Sequence, residues 1–544
     1  MSSIFNNGLF QVLEPRYKDI KGKPSIIVSA KGIANGLSNT PNDGADFGVD
    51  TTLGATSPSQ TGSPYTQTSG WQEAIKYAES NNILKIESNN GSFYSLSNPI
   101  YLNPDGIFNS PLEINGNNST IQISSSNLAT DIFKISVNTG SSGQLLYPLK
   151  IYGFVFDGNG SSTNTGIIRL NQYGYAGNNP DYIVEIYGNK FMNGSLSFIS
   201  VEQQSYTLSI HDNIFENVSI NTVIGINGQN DNCTAFIYAN NFIAGALSTG
   251  SNAILLNNNN TSTTISSPLN SAIIFGNYFS NTSDASSSST SSVIVFGGIN
   301  GAGWNGCIIE GNVFNLTAGW TEVIEQASTG AYNISIIGNT FYTRFTISVD
   351  DTTFYDNMLY NGITIYGNAI VSENRIYLQP NQTGINCIGV ITNNNQQVSI
   401  VDNVITDTNL SGSALAFNNT SITGSSYIVA NNLFNGETIS INQYPVGLIL
   451  LQNKTSSGVY PLVPTTPAVP TSGTAQQNTN PYPVNVYLYG GTVTEIQLTR
   501  NGTAYTVFSN ASGLALSGQV YKLNPSDSIT VTYSTAPTWE WLSD

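Results

Sequence analysis

The feature that most constrains the fold is a hexapeptide of the form apolar-x-x-Asn-x-apolar, which recurs along the middle of the chain. A motif that recurs every few tens of residues is typical of repeat proteins, in which each repeat packs mainly against its neighbours. The nine copies place their asparagines at Asn189, Asn213, Asn240, Asn277, Asn312, Asn339, Asn368, Asn403 and Asn431.

The intervals between these asparagines predict the kind of repeat. Successive asparagines lie 24 to 37 residues apart; the shorter intervals match one coil of a three-stranded solenoid, and the longer ones match a coil with an inserted loop. The segments between them are rich in β-branched residues and bounded by Gly, Asn and Ser, as strands are. We therefore predict an all-β fold, a right-handed parallel β-helix. The alternative, a β-sandwich or propeller with coincidental turns, rarely repeats one hexapeptide so often.

Each asparagine is expected to mark an equivalent bend in successive coils. We expect the asparagine itself to adopt the left-handed backbone conformation, and the amides of successive coils to form a ladder along the axis. The apolar residues on either side of the bend then fill the interior as columns. A further copy of the hexapeptide, Val371 to Ile376, follows Asn368 closely, so two copies compete as the bend of this coil.

The segments outside the repeats indicate further domains. Residues 71–80 predict an amphipathic helix that would cover the open end of the solenoid. Residues 460–483, rich in Pro, Thr and Gln, indicate a semi-rigid linker, and the period-two alternation beyond them predicts a small antiparallel β-sandwich. The predicted domains are an N-terminal arm (1–40), a capping region with the first coils (41–110), the β-helix (111–459), the linker (460–483) and the C-terminal module (484–544).

The first hundred residues resemble the N-terminal signature of the pectate-lyase-like superfamily as seen in bacteriophage tailspikes. Asp43 to Ala45, the helix with Ala74 and Ile75, and Gly91 to Tyr94 match its Asp-x-Gly-Ala stretch, capping helix and Gly-x-Tyr strand. The resemblance covers roughly residues 40 to 460 and implies a homotrimer with the solenoids side by side. It implies no particular activity, because this architecture hosts lyases, hydrolases and adhesins alike.

The charge composition narrows the range of partners. Charged residues make up 9% of the chain, and 33 acidic against 16 basic residues give a net charge of −17. Nucleic acid and anionic membranes require clustered Lys and Arg, so neither is expected as a partner. The chain has no apolar run near the roughly 18 residues of a membrane span, and its start lacks the layout of a signal peptide. A neutral, Asn-, Thr- and Tyr-rich surface without a signal peptide fits a virion component, and it resembles proteins of thermoacidophilic archaea and their viruses.

One cluster of aromatic and acidic residues is a candidate glycan site. Trp304 and Trp320 are expected to project from neighbouring turns, where flat indoles could stack on sugar rings, with Glu310 between them in sequence. Glu322 and Glu325 would supply the pair of carboxylates that glycoside hydrolysis requires. The alternative is that the tryptophans cover apolar loop residues and the glutamates are merely exposed.

The remaining candidates carry weaker signals. The adjacent Asp350 and Asp351 match part of a polygalacturonase motif, but such a pair is usually a solvated turn. His211, the single histidine, is expected to be a surface residue rather than a catalyst. Trp539 and Trp541, two apart on one strand face, either pack in the core of the C-terminal module or form a contact face.

The three cysteines are expected to be structural residues. Cys233, Cys307 and Cys387 are not at metal-ligand spacing from one another or from the histidine. They are expected to be buried small hydrophobes, and neither a metal nor another cofactor is expected.

Three functions are consistent with these features. The preferred one is a virion tailspike- or fibre-like structural protein on the virion surface. It would bind host-surface glycan or glycoprotein and contact other virion proteins through its N-terminal segment. The second is a tailspike-type depolymerase, a glycoside hydrolase or lyase. The sequence carries weaker signals for this activity than for attachment. The third is a cell-surface adhesin or sheath protein.

Overall fold

The chain forms two compact units. The first comprises Met1–Ile308 and Asn315–Ala331, and the second comprises Ile309–Phe314 and Tyr332–Asp544. The computed structural model describes residues 25–29, 47, 69–96, 98–102, 107–108, 111–123, 131–134, 144–145, 148–159, 167–171, 182–194, 197–202, 206–218, 222–227, 234–245, 251–257, 271–282, 291–297, 304–316, 322–326, 331–342, 345–347, 351–379, 382–388, 397–407, 413–417, 426–435, 448–455, 458–460, 465–480 and 482–543.

The first unit is a stack of coils paired by parallel strands. One sheet, called here the bend sheet, takes the strands on either side of each asparagine bend, and a second sheet takes one strand per coil. Its bend-sheet strands are Ile26–Val28, Lys85–Ser88, Phe93–Leu96, Leu112–Ile123, Leu149–Asp157, Tyr182–Tyr187, Lys190–Met192, Tyr206–His211, Ile214–Val218, Thr234–Tyr238, Asn241–Ala244, Ser271–Phe275 and Tyr278–Asn281. Its second-sheet strands are Ile100–Tyr101, Phe133–Lys134, Ile168–Asn171, Ser197–Glu202, Thr222–Asn227, Asn252–Asn257, Ser292–Phe296 and Glu322–Gln326. Short pairings also involve Ile107–Phe108, Gln144–Leu145, Trp304–Asn305 and Ala331–Tyr332.

The second unit has the same construction and closes with a hairpin. Its bend-sheet strands are Ile308–Glu310, Val313–Asn315, Ile334–Ile337, Thr340–Phe341, Thr352–Tyr355, Met358–Leu359, Ala369–Ser372, Arg375–Leu378, Gln397–Val401, Val404–Asp407, Ser426–Ala430, Leu433–Asn435, Leu448–Leu451, Asn453–Thr455 and Gly458–Tyr460. Its second-sheet strands are Phe345–Ile347, Ile363–Tyr366, Thr383–Ile388 and Ser413–Phe417. The last two bend-sheet strands pair antiparallel, so the final coil does not end in a parallel strand edge.

The interior of each unit is filled by columns of apolar side chains, and one column of the first unit consists of phenylalanines. Phe191, Phe215, Phe242 and Phe279 are fully buried and stack at centroid distances of 5.0, 4.9 and 4.7 Å. Parallel pairing in register produces this stacking, because the residue after each bend lies beside its equivalent in the next coil. Each aromatic pair adds about 0.5–1.5 kcal/mol beyond the burial of its apolar area. The predicted parallel β-helix with apolar columns is confirmed.

The asparagines form a ladder of buried amides in each unit. The backbone N–H and the Nδ2 of Asn213 both donate to Oδ1 of Asn240, at 3.1 and 3.0 Å, and the same Nδ2 also donates to the Ile186 carbonyl at 2.9 Å. Each amide thus uses its donors and its acceptor within the ladder, as buried polar groups must. The ladder of the first unit contains Asn189, Asn213, Asn240 and Asn277. The ladder of the second unit contains Asn312, Asn339, Asn357, Asn374, Asn403, Asn432 and Asn453.

Two of the nine predicted ladder positions are wrong. Asn368 is half-exposed; its Oδ1 accepts from the Gln397 backbone N–H, because it lies at the corner between a second-sheet strand and a bend-sheet strand. The ladder residue of this coil is Asn374, in the further copy of the hexapeptide at Val371 to Ile376. Asn431 precedes the ladder residue Asn432, because strand alternation puts Val429 rather than Ile428 inside.

The left-handed backbone conformation also lies one residue before the predicted position. The residue that precedes each ladder asparagine has positive φ, for example 62° at Gly188, 53° at Asp212 and 57° at Asp402. The expectation for the asparagine itself is therefore wrong, because its side chain points inward to bond with the next coil while the preceding residue turns the chain. Glycine at position 188 meets this need without strain, and a Cβ there would contact nothing within 4 Å.

The predicted helix is present at Trp71–Asn81. It follows Gly70, which has φ of 85°, and it is capped by Asn82, whose N–H donates to the Ala78 and Glu79 carbonyls. The buried Trp71 ring meets Tyr94, Phe133 and Phe154 edge-on at 5.5, 6.4 and 5.6 Å. The helix therefore anchors directly on the aromatic interior of the first coils.

The C-terminal module is antiparallel, as predicted, but its strands form one sheet instead of the two of a sandwich, and the module begins earlier than predicted. Its strands Ala475–Gln477, Val484–Arg500, Thr503–Leu523, Ser528–Thr535 and Thr538–Ser543 form one five-stranded sheet. The described part of the expected linker, residues 465–480, packs on this sheet: Tyr533 donates to the Pro470 carbonyl at 2.6 Å, and Ala475–Gln477 pairs with Ser528–Thr535.

The two C-terminal tryptophans belong to the core of the module. Trp539 and Trp541 are 5% and 2% exposed, and their rings meet edge-on at 5.8 Å. The indole N–H of Trp539 donates to the Pro467 carbonyl at 2.7 Å. The hypothesis of a contact face is therefore wrong for these residues, because they hold the preceding segment against the sheet.

Candidate functional site

A column of aromatic rings runs along the outer face of the bend sheet in the first unit. Tyr152, Tyr187, His211, Tyr238 and Phe275 stack with centroid distances of 4.7, 5.0, 4.5 and 4.7 Å and interplanar angles of 11° or less. The last four lie two residues before a ladder asparagine, so the ladder sets their spacing. Because each ring covers the faces of its neighbours, a ligand could reach mainly ring edges and hydroxyls.

His211 lies at the centre of a charged cluster that crosses three coils. Its Nε2 is 3.1 Å from Glu185 Oε1 and its Nδ1 is 2.8 Å from Asp212 Oδ2. Lys150 Nζ lies 3.0 Å from the other oxygen of Glu185. His211 is 8% exposed, so the expectation of a surface residue is wrong. The strand pairing that brings the coils into register places its ring between two tyrosines and against a carboxylate of the preceding coil.

The electrostatics of this cluster favour a structural role. Burial lowers the pKa of His211, but the hydrogen bonds and charges of Glu185 and Asp212 outweigh it, so the pKa is raised. Burial raises the pKa of Glu185, and His211 and Lys150 outweigh it, so that pKa is lowered. A protonated imidazole with both nitrogens donating to carboxylates has no lone pair to accept a proton. The cluster therefore ties coils together and is not arranged as a general base.

A second ionic group lies beside the same column. Lys85 Nζ is 2.7 Å from Glu87 and 3.7 Å from Glu113, and the Tyr152 hydroxyl donates to Glu113. Burial together with the Glu113 hydrogen bond raises the pKa of Tyr152. Glu113 and Glu185 are thus each bound to a lysine, which limits their use as an acid–base pair.

The predicted tryptophan platform is not present at Trp304. This side chain is fully buried, and its indole N–H donates to the Asn257 carbonyl at 3.4 Å. The prediction of an exposed stacking surface there is wrong, because the residue fills the interior. Glu310 is exposed. Trp320 lies outside the described residues.

Of the predicted acidic residues, two lie on a second-sheet strand and one lies at a turn. Glu322 and Glu325 lie in the strand Glu322–Gln326, in register with Ser292 and Val295, and their side chains are outside the description. Asp351 is exposed at a turn with φ of 53° and accepts from Asn368 at 3.4 Å, while Asp350 lies outside the described residues.

The outer face of the second unit carries an exposed column of tyrosines. Tyr342, Tyr360 and Tyr377 stack at 4.8 and 5.6 Å with interplanar angles of 2° and 22°. Tyr342 and Tyr377 are 46% and 37% exposed. In the next coil the register partner of Tyr377 is Thr406. The column therefore ends on one face of the Tyr377 ring, which lies beside the short hydroxyl side chain of Thr406.

Sequence reasoning missed this tyrosine column, although the sequence contains a signal for it. Each tyrosine is the third residue after a ladder asparagine, namely Asn339, Asn357 and Asn374. The last two asparagines were not among the predicted ladder positions, so the regular spacing of the tyrosines was not visible.

A separate apolar face lies on the other side of the bends in the second unit. Ile370, Ile428 and Ile449 are 49%, 40% and 44% exposed, and with Ser399 they occupy one register position in successive coils. Leu451, on the adjacent outward position, is 48% exposed. Aligned exposed aliphatic side chains of this kind are typical of a surface that meets another macromolecule.

Several other features bear on the class of site. Among the described residues no group of three or more His, Cys, Asp or Glu side chains is placed to hold a metal ion. The described helix is too short and too polar to cross a membrane. Cys307 and Cys387 are buried, and burial raises the pKa of the Cys387 thiol to about 12. Cys233 lies outside the described residues.

Comparisons with known proteins give matches among solved structures. No protein-family model matches the sequence, and no curated protein matches it. A tailspike protein mutant of E. coli bacteriophage HK620, in complex with a pentasaccharide, is 12% identical over 93% of this chain and 94% of that chain, with a TM-score of 0.37. The A-module of the Azotobacter vinelandii mannuronan C-5 epimerase AlgE6 is 13% identical over 71% of this chain and 94% of that chain, with a TM-score of 0.36. Tailspike protein 3 of bacteriophage CBA120 is 12% identical over 79% of this chain and 65% of that chain, with a TM-score of 0.33.

Proposed function

We propose that this chain is a tailspike- or fibre-like structural protein of a virion that attaches to host-surface glycan or glycoprotein. The observation that supports the proposal is the exposed tyrosine column formed by Tyr342, Tyr360 and Tyr377. It is uncharged, aromatic and built on a rigid parallel sheet, which are properties that suit an extended neutral polymer better than a small charged ligand.

The chemistry of the column matches that of a saccharide. Tyrosine combines a flat apolar ring with a hydroxyl that donates and accepts hydrogen bonds, and it loses little side-chain entropy on binding. The ring of Tyr377 next to Thr406 offers one apolar face and one hydroxyl to the same ligand. A sugar presents the same pair of surfaces, C–H bonds on its ring faces and hydroxyls at its rim.

Binding of the full chain to host cells and to purified surface glycan tests the proposal. We expect Tyr377→Ala and Tyr342→Ala each to weaken glycan binding by about tenfold, equivalent to about 1.4 kcal/mol. Phe93→Ala is the matched control, because Phe93 is an aromatic side chain 55% exposed on a strand of the first unit. Equal binding by all three variants would contradict the assignment of the column.

The same glycan serves to test for depolymerase activity. In the described residues, Glu113 and Glu185 are each bound by a lysine and by a tyrosine hydroxyl or an imidazole, an arrangement that limits their use as an acid–base pair. We therefore expect no new reducing ends or unsaturated sugars after incubation. Their appearance would favour the enzyme, and their absence together with normal binding would favour attachment.

The proposal includes a homotrimer and a place on the virion surface. The aligned aliphatic face of Ile370, Ile428 and Ile449 supports lateral contact of the solenoid with a large partner. Contact with other virion proteins is proposed for the N-terminal segment. Light scattering that gives three chain masses, and detection of the protein on purified virions, are the expected results.

A further inference from the structure

Two acceptor sequences for N-linked glycan lie open on the surface of the described chain. The sequon Asn-Gly-Ser at Asn90 occupies the turn that precedes the strand Phe93–Leu96. The sequon Asn-Gly-Thr at Asn501 occupies the tip of the hairpin that continues into Thr503–Leu523. Asn-x-Ser/Thr is the acceptor of N-linked glycan when x is not proline. Because a transferase must reach the asparagine, the local structure decides which sequons are acceptors.

The reacting groups of both sequons are available. Asn90 and Asn501 are exposed, and among the described residues neither side-chain amide has a hydrogen-bond partner. The hydroxyl residue two positions further is half-exposed at Ser92 and exposed at Thr503. At the hairpin tip, Asn501 and Gly502 have φ of 49° and 76°, as in a two-residue hairpin turn. This sequon is therefore a tight bend and not part of a paired strand.

Other sequons of the described chain are closed by their own hydrogen bonds. Asn453 is a fully buried ladder residue. The Nδ2 of Asn193 donates to Asp157 at 2.9 Å. Asn510 is half-exposed, and its Oδ1 accepts from the Ser512 N–H at 3.1 Å. The structure thus separates sequons with a free amide from sequons whose amide is already used.

The sequon at Asn118 is closed in a different way. Its asparagine is exposed, but its hydroxyl residue, Thr120, lies inside the strand Leu112–Ile123. Thr120 is paired with a strand on each side. A transferase that bends this sequon would have to break both pairings, which the turn at Asn90 does not require.

Each open sequon also lies beside an exposed aromatic ring. Phe93 is 55% exposed and Tyr505 is 52% exposed, the two highest values among the large hydrophobic side chains of the described residues. Phe93 is the third residue after Asn90 and Tyr505 is the fourth after Asn501, so the Cα atoms of each pair are at most about 11 and 14 Å apart. An oligosaccharide on either asparagine would therefore reach the neighbouring ring and pack the apolar face of a sugar on it.

We propose that Asn90 and Asn501 carry N-linked oligosaccharides. In the transfer, Nδ2 forms a bond to the anomeric carbon of an activated glycosyl phosphate donor, and the bond from that carbon to the phosphate oxygen breaks. The phosphate leaves with the electron pair, and the amide nitrogen releases a proton to a base of the transferase. The attached glycans cover Phe93 and Tyr505 and add solvation to a chain with only 9% charged residues. This inference does not depend on ligand binding by the tyrosine column.

Glycopeptide mapping of the full chain, purified from the cells that naturally produce it, tests the proposal. Chymotrypsin suits a chain with 29 Tyr and 23 Phe but 16 Lys and Arg residues. Fragmentation must assign each site, because sequons also occur elsewhere in the chain. We expect sugar on Asn90 and Asn501 and unmodified peptides for Asn453 and Asn193. Sugar on Asn453, or none on Asn90 and Asn501, would overturn the proposal.

Variants of the hydroxyl residue show whether the sequon itself directs the modification. Thr503→Ala keeps the asparagine but removes the hydroxyl that the acceptor sequence requires, so it should lower the occupancy of Asn501 at least about tenfold. Thr503→Ser is the matched control and should retain the glycan. Ser92→Ala and Ser92→Thr form the same pair for Asn90. Unchanged denaturation midpoints would show that all four variants fold, and equal occupancy in the alanine and hydroxyl variants would contradict the assignment.

Discussion

At the scale of single residues, the ladder asparagine joins neighbouring coils. In the second unit, Asn374 donates to Asn403 from both its backbone N–H and its Nδ2, at 3.1 and 2.9 Å, and accepts twice from Asn357. All four bonds are buried. A buried donor or acceptor that loses its partner costs about 1–3 kcal/mol, so a single ladder position affects two coils at once.

Replacement of a ladder asparagine should therefore be far more damaging than replacement of its near neighbour in sequence. We expect Asn374→Ala to reduce the free energy of unfolding by roughly 2–4 kcal/mol, because it leaves polar groups of Asn357 and Asn403 unpaired. Asn368→Ala, in the same unit and half-exposed, should cost less than about 1 kcal/mol. Chemical denaturation of both variants measures the difference, and equal losses would show that the ladder is not the stabilising element.

At the scale of elements, the largest side chain of the helix Trp71–Asn81 packs into the aromatic interior of the first unit. Trp71 meets three rings that belong to different strands of the first unit, and its own surface is fully buried. Aromatic pairs with this edge-on geometry are favourable beyond their area. The helix thus has one large aromatic anchor, beside the buried side chains of Ala74, Ile75 and Ala78 and two hydrogen bonds between Gln72 and Tyr101.

Removal of this anchor should loosen the helix. We expect Trp71→Ala to cost about 3–5 kcal/mol, the range for a buried aromatic residue, and to speed hydrogen exchange in residues 71–82. Phe93→Ala is the control on a neighbouring strand, since Phe93 is largely exposed. If the helix amides exchange at the wild-type rate in Trp71→Ala, other contacts must hold the helix.

The elements were more predictable from sequence than the sites. Parallel pairing in register repeats the same residue type at the same place in every coil, so the motif around Asn189 or Asn240 reveals the fold. One phase error occurred where the coil shortens, because Asn357 and Asn374 are 17 residues apart and a corner at Asn368 imitates the motif. The other occurred at Asn431, where the alternation of the strand places Val429 inside instead of Ile428. The burial of Trp304 depends on which face of a short strand points inward, and sequence spacing does not fix that face. His211 lies on the outer face and is buried by rings and carboxylates of neighbouring coils, which the sequence does not show.

At the scale of the whole molecule, few of the stabilising interactions titrate. Amide ladders and phenylalanine columns carry no charge, so they are insensitive to pH. The cluster of His211 and Glu185 is an exception. The raised pKa of His211 gives stability that is complete below its ordinary value of 6.5 and is lost as the pH rises through the raised value. The lowered pKa of Glu185 gives stability that is present above 4.5 and is lost as the pH falls through the lowered value.

The unfolding temperature should therefore change little between neutral pH and about pH 3, where free carboxyl groups titrate. Above pH 6.5 we expect a modest decline as His211 loses its proton. His211→Phe keeps a ring in the stack and should remove that decline. Tyr238→Phe keeps every charge of the cluster and should retain it. Thermal scans across this range measure both, and a steep loss of stability on acidification would contradict the dominance of uncharged interactions.

Along the ladder, the distance between neighbouring asparagines does not depend on how many residues separate them in sequence. Asn357 and Asn374 are 17 residues apart in sequence and Asn240 and Asn277 are 37 apart, yet the N–H to Oδ1 distances are 2.9 and 3.0 Å. Each coil begins at a ladder asparagine in the same position, whether the loop before it is short or long. Doubling a loop adds only about 0.6 kcal/mol of closure entropy. The corners of the coils are thus sites where whole segments can be lengthened, shortened or exchanged during evolution, while the stacked amides beneath them stay unaltered.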